Sequence, residues 1–160
     1  MHPLFEFSYH NPTQIHFGPD SFTKLGELIP RSARVLLLYG GGSIKRNGVY
    51  DQVTRVLAGY NIVEFSGVEA NPTLETLDRA VAVVRAEKLD FILAVGGGSV
   101  SDGAKYVASA ALYDGDGWDI VIGKHVVLPD LGNRNWISEA GHGWFLAGTP
   151  SDNFYAIDAE

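Results

Sequence analysis

Two short stretches of the chain have the residue types and spacing to hold an anion. Gly40-Gly41-Gly42-Ser43 follows the apolar run Val35-Leu36-Leu37-Leu38-Tyr39, and Gly96-Gly97-Gly98-Ser99 follows Asp90-Phe91-Ile92-Leu93-Ala94-Val95. Glycine has no Cβ, so a charged oxygen can approach the peptide N–H groups, and each serine adds a hydroxyl donor. That chemistry suits a phosphate-bearing ligand. The plainer alternative is a tight turn that needs positive φ, which accounts for one triplet better than for two in tandem. Neither common phosphate motif is present. The triphosphate-binding loop would need Gly-Lys-Ser/Thr where this chain has Gly103-Ala104-Lys105-Tyr106. The standard dinucleotide fingerprint would need a third glycine where the chain has Lys45 or Ser101.

No other group of residues reads as catalytic. The 160 residues include no cysteine, which removes thiolate nucleophiles, disulfides and cysteine-ligated metal. The histidines, His2, His10, His16, His125 and His142, form no i, i+4 pair, so neither a metal site nor a catalytic residue is assigned. A formal charge of −7 comes from 19 acidic against 12 basic residues. The basic residues are scattered, which argues against nucleic acid as a partner. Lys45-Arg46 is the one local basic pair. With 46% hydrophobic residues and no apolar run near the ~18 that span a bilayer, the chain reads as one soluble domain with no membrane partner. No secretory signal is legible in Met1-His2-Pro3-Leu4-Phe5-Glu6, and a cytoplasmic location is the expectation.

The elements that must position the two loops follow from the hydrophobic period. Phe5–Tyr9 and Pro12–Gly18 alternate around a turn and read as two short strands, a flap or a sheet edge. Residues 19–28 read as a short helix ended near Pro30. Residues 35–39, 62–65 and 90–95 are nearly continuous apolar runs, as strands covered on both faces require. Between them, Val49, Val53, Val56 and Leu57 mark one helical face, ended by Gly59. Leu74, Leu77, Ala80, Val81 and Val84 mark another, begun at Asn71-Pro72-Thr73 and reaching about Lys88. A further helix follows the second glycine loop, with Ala104, Val107, Ala108 and Ala111 inward. Strands alternating with helices predict a three-layer α/β sandwich, a Rossmann-like parallel sheet with right-handed crossovers and an N-terminal strand pair. Past Tyr113, residues 114–119 read as a turn-rich linker, and 120–122 and 126–128 as short strands. Residues 130–153 show neither period.

The segment Gly96-Gly97-Gly98-Ser99-Val100-Ser101-Asp102-Gly103-Ala104-Lys105 resembles the GGGSxxDxAK segment of the iron-containing, group III alcohol dehydrogenases. That superfamily also holds glycerol dehydrogenase and dehydroquinate synthase. Pro12–Gly18 looks like the family's opening strand. Tyr39–Val53 is similar to its NADPH-dependent butanol dehydrogenase and aldehyde reductase branch, and Glu69-Ala70-Asn71-Pro72-Thr73 to the loop before the next helix. The resemblance covers residues 5–128. It implies that Gly97, Gly98 and Ser99 hold a pyrophosphate, that Asp102 lies near the nicotinamide and its ribose, and that Gly40, Gly41 and Ser43 receive the adenosine end. For Asp102 the alternative is an acid in the first turn of a helix, favoured by the dipole. NAD-preferring relatives carry Asp at the position of Gly40. Its absence here, with Ser43 as donor and Lys45 or Arg46 as cation, implies NADP(H). A solvated helix start is the alternative for Lys45 and Arg46. Asn71 resembles a position that reaches the adenosine side, and a helix cap explains it equally well.

The resemblance ends near Pro129. The family continues with a threonine-rich segment of the type LTLPATGSE, whereas this chain reads Asp130-Leu131-Gly132-Asn133-Arg134-Asn135-Trp136. The division expected is a dinucleotide-binding domain over 1–129 and an irregular tail over 130–160, which a frameshift, a truncation or an internal deletion would each produce. The family's metal, iron or zinc, is implied, but its Asp and three His ligands belong to a helical C-terminal domain not found here. The resemblance thus implies the cofactor-binding half of an NADP(H)-dependent alcohol dehydrogenase or aldehyde reductase, inactive as this isolated chain. In the complete enzyme the partner is a small alcohol or aldehyde. A homo-oligomer is compatible with it. Two alternatives stay open: a non-catalytic dinucleotide- or phosphate-binding module, and a zinc-dependent relative of glycerol dehydrogenase or dehydroquinate synthase.

Overall fold

The computed structural model of the chain describes residues 14–17, 21–122, 124, 135–140, 144–148 and 154–158. Strand β1 is Gln14–Phe17, and a 3-10 turn at Ser21–Lys24 leads into α1, Leu25–Leu28. Next come β2 (Arg34–Tyr39), α2 (Ser43–Arg46), α3 (Val49–Val56), β3 (Asn61–Phe65) and α4 (Leu74–Ala86). These are followed by β4 (Phe91–Val95), α5 (Gly98–Ala110), α6 (Gly117–Val121), β5 (Asn135–Ala140), β6 (Trp144–Gly148) and β7 (Phe154–Asp158).

The strands form one sheet in the order β1-β7-β6-β5-β4-β2-β3. Its working centre is parallel: β2 pairs with β3 on one side and with β4 on the other, and β4 pairs with β5. Because strand side chains alternate between faces, the unbroken apolar run of β2 is split between two cores. Val35, Leu37 and Tyr39 pack with Leu25, Ile44, Val53 and Leu57 on the α1–α3 face. Leu36 and Leu38 pack with Leu77, Val81, Val84, Ala104 and Val107 on the α4–α5 face. Val35, Leu36, Leu37 and Leu38 are wholly buried, and each contributes about 1.5–3 kcal/mol through removal from water. The three-layer α/β architecture is the one the hydrophobic period demands.

Several local expectations need correcting or lie elsewhere. Residues 120 and 121 belong to α6 and Ile122 is its C-cap, not a strand. The Asp116 side chain accepts from the Trp118 N–H at 2.9 Å and starts a helical turn there, which overrides the β preference of Ile120-Val121-Ile122. Residues 130–153 lack a period in sequence, yet two segments within them form strands β5 and β6, with β5 taking its register from β4 (Leu93↔Ile137). Pairing with an already formed edge can place a segment whose own pattern is weak. Strand β1 is the edge of the sheet, where it pairs with β7. The Phe5–Tyr9 half of the expected strand pair and residues 126–128 lie outside the described residues.

Candidate nucleotide-binding site

The register of the sheet brings the two glycine loops together. Tyr39, the last residue of β2, is opposite Val95, the last of β4. Gly40 and Gly96 therefore leave adjacent strands side by side, at the ~4.8 Å strand spacing. From β2 the chain passes over the α1–α3 face to β3, and from β4 it enters α5 on the opposite face. The crevice between β2 and β4 is thus a topological switch point at the carboxyl ends of parallel strands, where open α/β sheets take their ligands.

The glycines of the two loops differ in what they are for. A Cβ on Gly96 would lie 2.6 Å from Cγ2 of Val100, so this glycine is needed for packing. A Cβ on Gly97, Gly98 or Gly41 would meet no heavy atom within 4 Å. At these three positions the fold leaves open space beside the backbone, which is the condition for an anion to approach. Gly98 begins α5, whose N-terminus carries the positive end of the helix dipole; the Val100 N–H already donates to the Gly97 carbonyl at 3.0 Å, which leaves the N–H groups of Gly98 and Ser99 ahead of the intrahelical ladder. Gly42 has φ 92°, a left-handed conformation that favours glycine, and turns the chain into α2 with Ser43 exposed at its start.

The loop after β3 ties the two turns to each other. The Gly67 N–H donates to the Gly40 carbonyl at 3.1 Å, and the Val68 N–H to the Tyr39 carbonyl at 3.2 Å. Three residues before α4, the Asn71 N–H donates to the Ser99 hydroxyl oxygen at 3.2 Å. Asn71 adopts φ 53°, which asparagine tolerates better than most residues. Glu69 holds this corner: its Oε1 accepts from the Thr73 N–H, the Thr73 hydroxyl and the Thr76 hydroxyl, each at 3.0 Å. The Thr73 N–H first, then the N–H of Glu69 itself and the two hydroxyls, bring this carboxyl from its ordinary 4.5 to about 2. Thr73 is in turn the N-cap of α4, accepting from the Thr76 N–H at 3.3 Å.

Of the residues singled out in sequence, Gly40, Gly41, Asn71, Gly97, Gly98 and Ser99 therefore line one crevice mouth. Asp102 lies one turn further along α5, exposed, and is paired with Lys105 at 3.0 Å. Ser43 and Lys45 are on the short α2 beside the first turn. Sequence reasoning missed the surroundings of Lys45. The Tyr39 and Tyr50 hydroxyls donate to the two oxygens of Glu64 at 2.7 and 2.5 Å. The Lys45 ammonium lies 3.8 Å from Glu64 Oε2 and 4.5 Å from the centre of the Tyr50 ring. Burial alone would raise the Glu64 carboxyl, but the Tyr50 and Tyr39 hydroxyls and then Lys45 outweigh it and hold it below its ordinary value. Lys45 is held above its own, first by the Tyr39 hydroxyl and, against desolvation, by the nearby Glu64 charge. A signal for Glu64 was available. An acid at the end of the strand after a glycine turn, about 20 residues on, is where dinucleotide folds read the adenosine ribose.

The open backbone at Gly41, Gly97 and Gly98 fits a dinucleotide. A metal has no comparable place: among the described residues, no three His, Cys, Asp or Glu come together as a ligand group. Nor is any helix among them long and apolar enough to cross a membrane.

Comparison with known proteins agrees with this geometry. The family model described as iron-containing alcohol dehydrogenase matches residues 12–133. Over 122 residues the chain is 52% identical to a probable NADH-dependent butanol dehydrogenase 1 of Bacillus subtilis, covering 74% of this chain and 32% of that protein. Over 117 residues it is 52% identical to the NADPH-dependent aldehyde reductase YqhD of Escherichia coli, covering 72% and 30%. The solved structure of the substrate- and cofactor-free E. coli aldehyde reductase superposes with a TM-score of 0.76 at 46% identity, over 82% of this chain and 35% of that one. The chain thus spans about a third of the length of these relatives. With its fold, its paired glycine turns and this match across most of its length, the chain belongs to the iron-containing alcohol dehydrogenase family.

Proposed function

We propose that the chain is the cofactor-binding part of an NADP(H)-dependent alcohol dehydrogenase or aldehyde reductase, with residues 1–129 as the dinucleotide-binding unit and 130–160 as a tail that departs from the family's pattern. The observation that carries this reading is the pair of glycine turns side by side at the switch point, with open backbone at Gly41, Gly97 and Gly98. Gly97, Gly98 and Ser99, at the N-terminus of α5, would hold the pyrophosphate. Gly40, Gly41, Ser43 and Asn71 would take the adenosine side, and Asp102 the nicotinamide side. Once bound, the dinucleotide supplies hydride for reduction of a carbonyl. The chain's own residues orient it: Asn71 fixes Ser99, and Glu69 fixes the corner that carries Asn71.

The preference for the phosphorylated cofactor rests on local charge. No carboxylate projects from position 40, and Lys45 and Arg46 stand beside Ser43. The substrate would be a small alcohol or aldehyde. Titration of the purified chain with NADPH and with NADH, followed by fluorescence, tests the reading. Saturable binding with NADPH the tighter ligand is expected, and absence of binding to either would overturn it.

A further inference from the structure

We propose that Glu64 is a specificity-determining residue of the first glycine turn: its carboxylate, fixed by the Tyr39 and Tyr50 hydroxyls, partly neutralises Lys45 and so sets how strongly the turn distinguishes a dinucleotide with a 2′-phosphate from one without. The inference rests on the dinucleotide reading above and goes beyond it in naming what limits the preference.

Parallel pairing sets Glu64 of β3 opposite Leu37 of β2, so both side chains point to the α1–α3 face, the side on which Tyr39 and Ile44 also lie. There Glu64 meets α2 and α3, which carry Lys45 and Tyr50. Each carboxylate oxygen accepts one phenol, at 2.7 Å from Tyr39 and 2.5 Å from Tyr50. The two rings meet edge to face with centroids 6.2 Å apart. Such a bracket removes the rotational freedom that usually makes a surface carboxylate a weak partner. Lys45 lies over both rings, 5.2 Å from the centre of Tyr39 and 4.5 Å from that of Tyr50, with its ammonium 3.8 Å from Oε2.

The pair is not sealed from solvent. The Lys45 side chain is 49% exposed and that of Glu64 39%, so an incoming phosphate can reach the ammonium but meets the fixed negative charge behind it. A 2′-phosphate gains from Lys45 and loses to Glu64. A 2′-hydroxyl is nearly indifferent to Lys45 and can donate to a carboxylate lone pair that the phenols leave free. The two residues therefore pull selectivity in opposite directions. Arg46, next to Lys45 and exposed, keeps the local balance positive. The outcome is a turn that favours the phosphorylated ligand by less than its cations alone would give.

The test uses the 160-residue chain and two probes, adenosine 2′,5′-bisphosphate and AMP, with dissociation constants from calorimetry for wild type, Glu64→Gln, Lys45→Ala and the double variant. Glutamine keeps the shape of the side chain and can still bond both phenols, and thermal unfolding checks that it does. Glu64→Gln is expected to tighten the bisphosphate roughly threefold while AMP changes little, and Lys45→Ala to weaken the bisphosphate by at least as much. In the Lys45→Ala background Glu64→Gln should still tighten the bisphosphate relative to AMP, because the carboxylate repels a 2′-phosphate directly. Tyr50→Phe, which frees one carboxylate oxygen without changing charge, should move the bisphosphate-to-AMP ratio the other way. A merely structural role would shift both probes together. A bisphosphate-to-AMP ratio that Glu64→Gln leaves unmoved, with Lys45 present or replaced, overturns the proposal while leaving the cofactor reading in place. Failure of the wild-type chain to bind either probe removes both.

Discussion

Within one Gly-Gly-Gly-Ser sequence, neighbouring glycines answer to different constraints, and substitution separates them. Gly98→Val places its side chain in open space at the first turn of α5, so the variant should fold and lose dinucleotide binding by excluding the phosphate. Gly96→Ala drives a methyl against Val100 and should lower stability by about 1–3 kcal/mol while sparing the ligand contacts. Chemical denaturation and NADPH titration of both variants should show these losses uncoupled. Gly40→Asp is a third case. Its Cβ would come within 3.1 Å of the Val68 carbonyl, so the loop after β3 must give by a few tenths of an ångström. A carboxylate facing a 2′-phosphate costs on the order of a few kcal/mol when partly desolvated. The ratio of NADPH to NADH affinity in this variant should fall, and a rise would sink the assignment of this turn to the adenosine end. Glu69 gives a pH dependence with a definite sign. Its carboxyl is depressed in the folded chain, so its contribution to stability is fully present above its ordinary 4.5 and is lost as the pH falls toward about 2. Unfolding midpoints of wild type and Glu69→Gln should differ at neutral pH and converge across that window.

At the scale of elements, what the sequence disclosed depends on how each element is held. Strands β2 and β4 were legible because burial on both faces leaves no polar position to interrupt the run, and α4 because Thr73, Leu77, Ala80, Val81 and Val84 fall on a cap and one face. The two glycine turns were legible as turns at adjoining strand ends for the same reason, since each follows such a strand directly. The short elements were not. Ile120-Val121-Ile122 looks like a strand in isolation, and becomes helix and cap because Asp116 caps and Gly117 lets the turn approach α5. A Cβ on Gly117 would come 1.9 Å from the Tyr106 hydroxyl oxygen, which donates to Asp78 Oδ1 at 2.6 Å and so joins α5 to α4. No sequence period carries that contact. Gly117→Ala should therefore displace Tyr106 from Asp78 and cost about 1–3 kcal/mol. The same substitution should cost less in a Tyr106→Phe background, where the hydroxyl is already gone, and a double-mutant cycle by urea denaturation measures the difference. Strands β5 and β6 escaped for a related reason, being placed by pairing along the sheet and not by a pattern of their own.

At the scale of the whole molecule, the chain matches about a third of the length of its dehydrogenase and reductase relatives. Holding a dinucleotide takes open backbone and helix N-termini, and the described residues provide both. Delivering hydride to an aldehyde asks for something else, an electrophile on the carbonyl oxygen to take up the developing charge. Among the described residues no cluster of ligating side chains would hold such a metal, and the sequence offers no cysteine and no paired histidines in its place. The purified 160-residue chain is accordingly expected to bind NADPH and not to oxidise it. The measurement is NADPH absorbance with butyraldehyde after reconstitution with ferrous iron or zinc, on protein cleared of host dehydrogenases, with Gly98→Val prepared in parallel. A rate that depends on metal, follows the purified chain and disappears in Gly98→Val would show that this chain assembles an electrophilic site as well as the cofactor cradle. A rate that persists in Gly98→Val would point to a contaminating enzyme, because that substitution blocks the proposed site for the reductant.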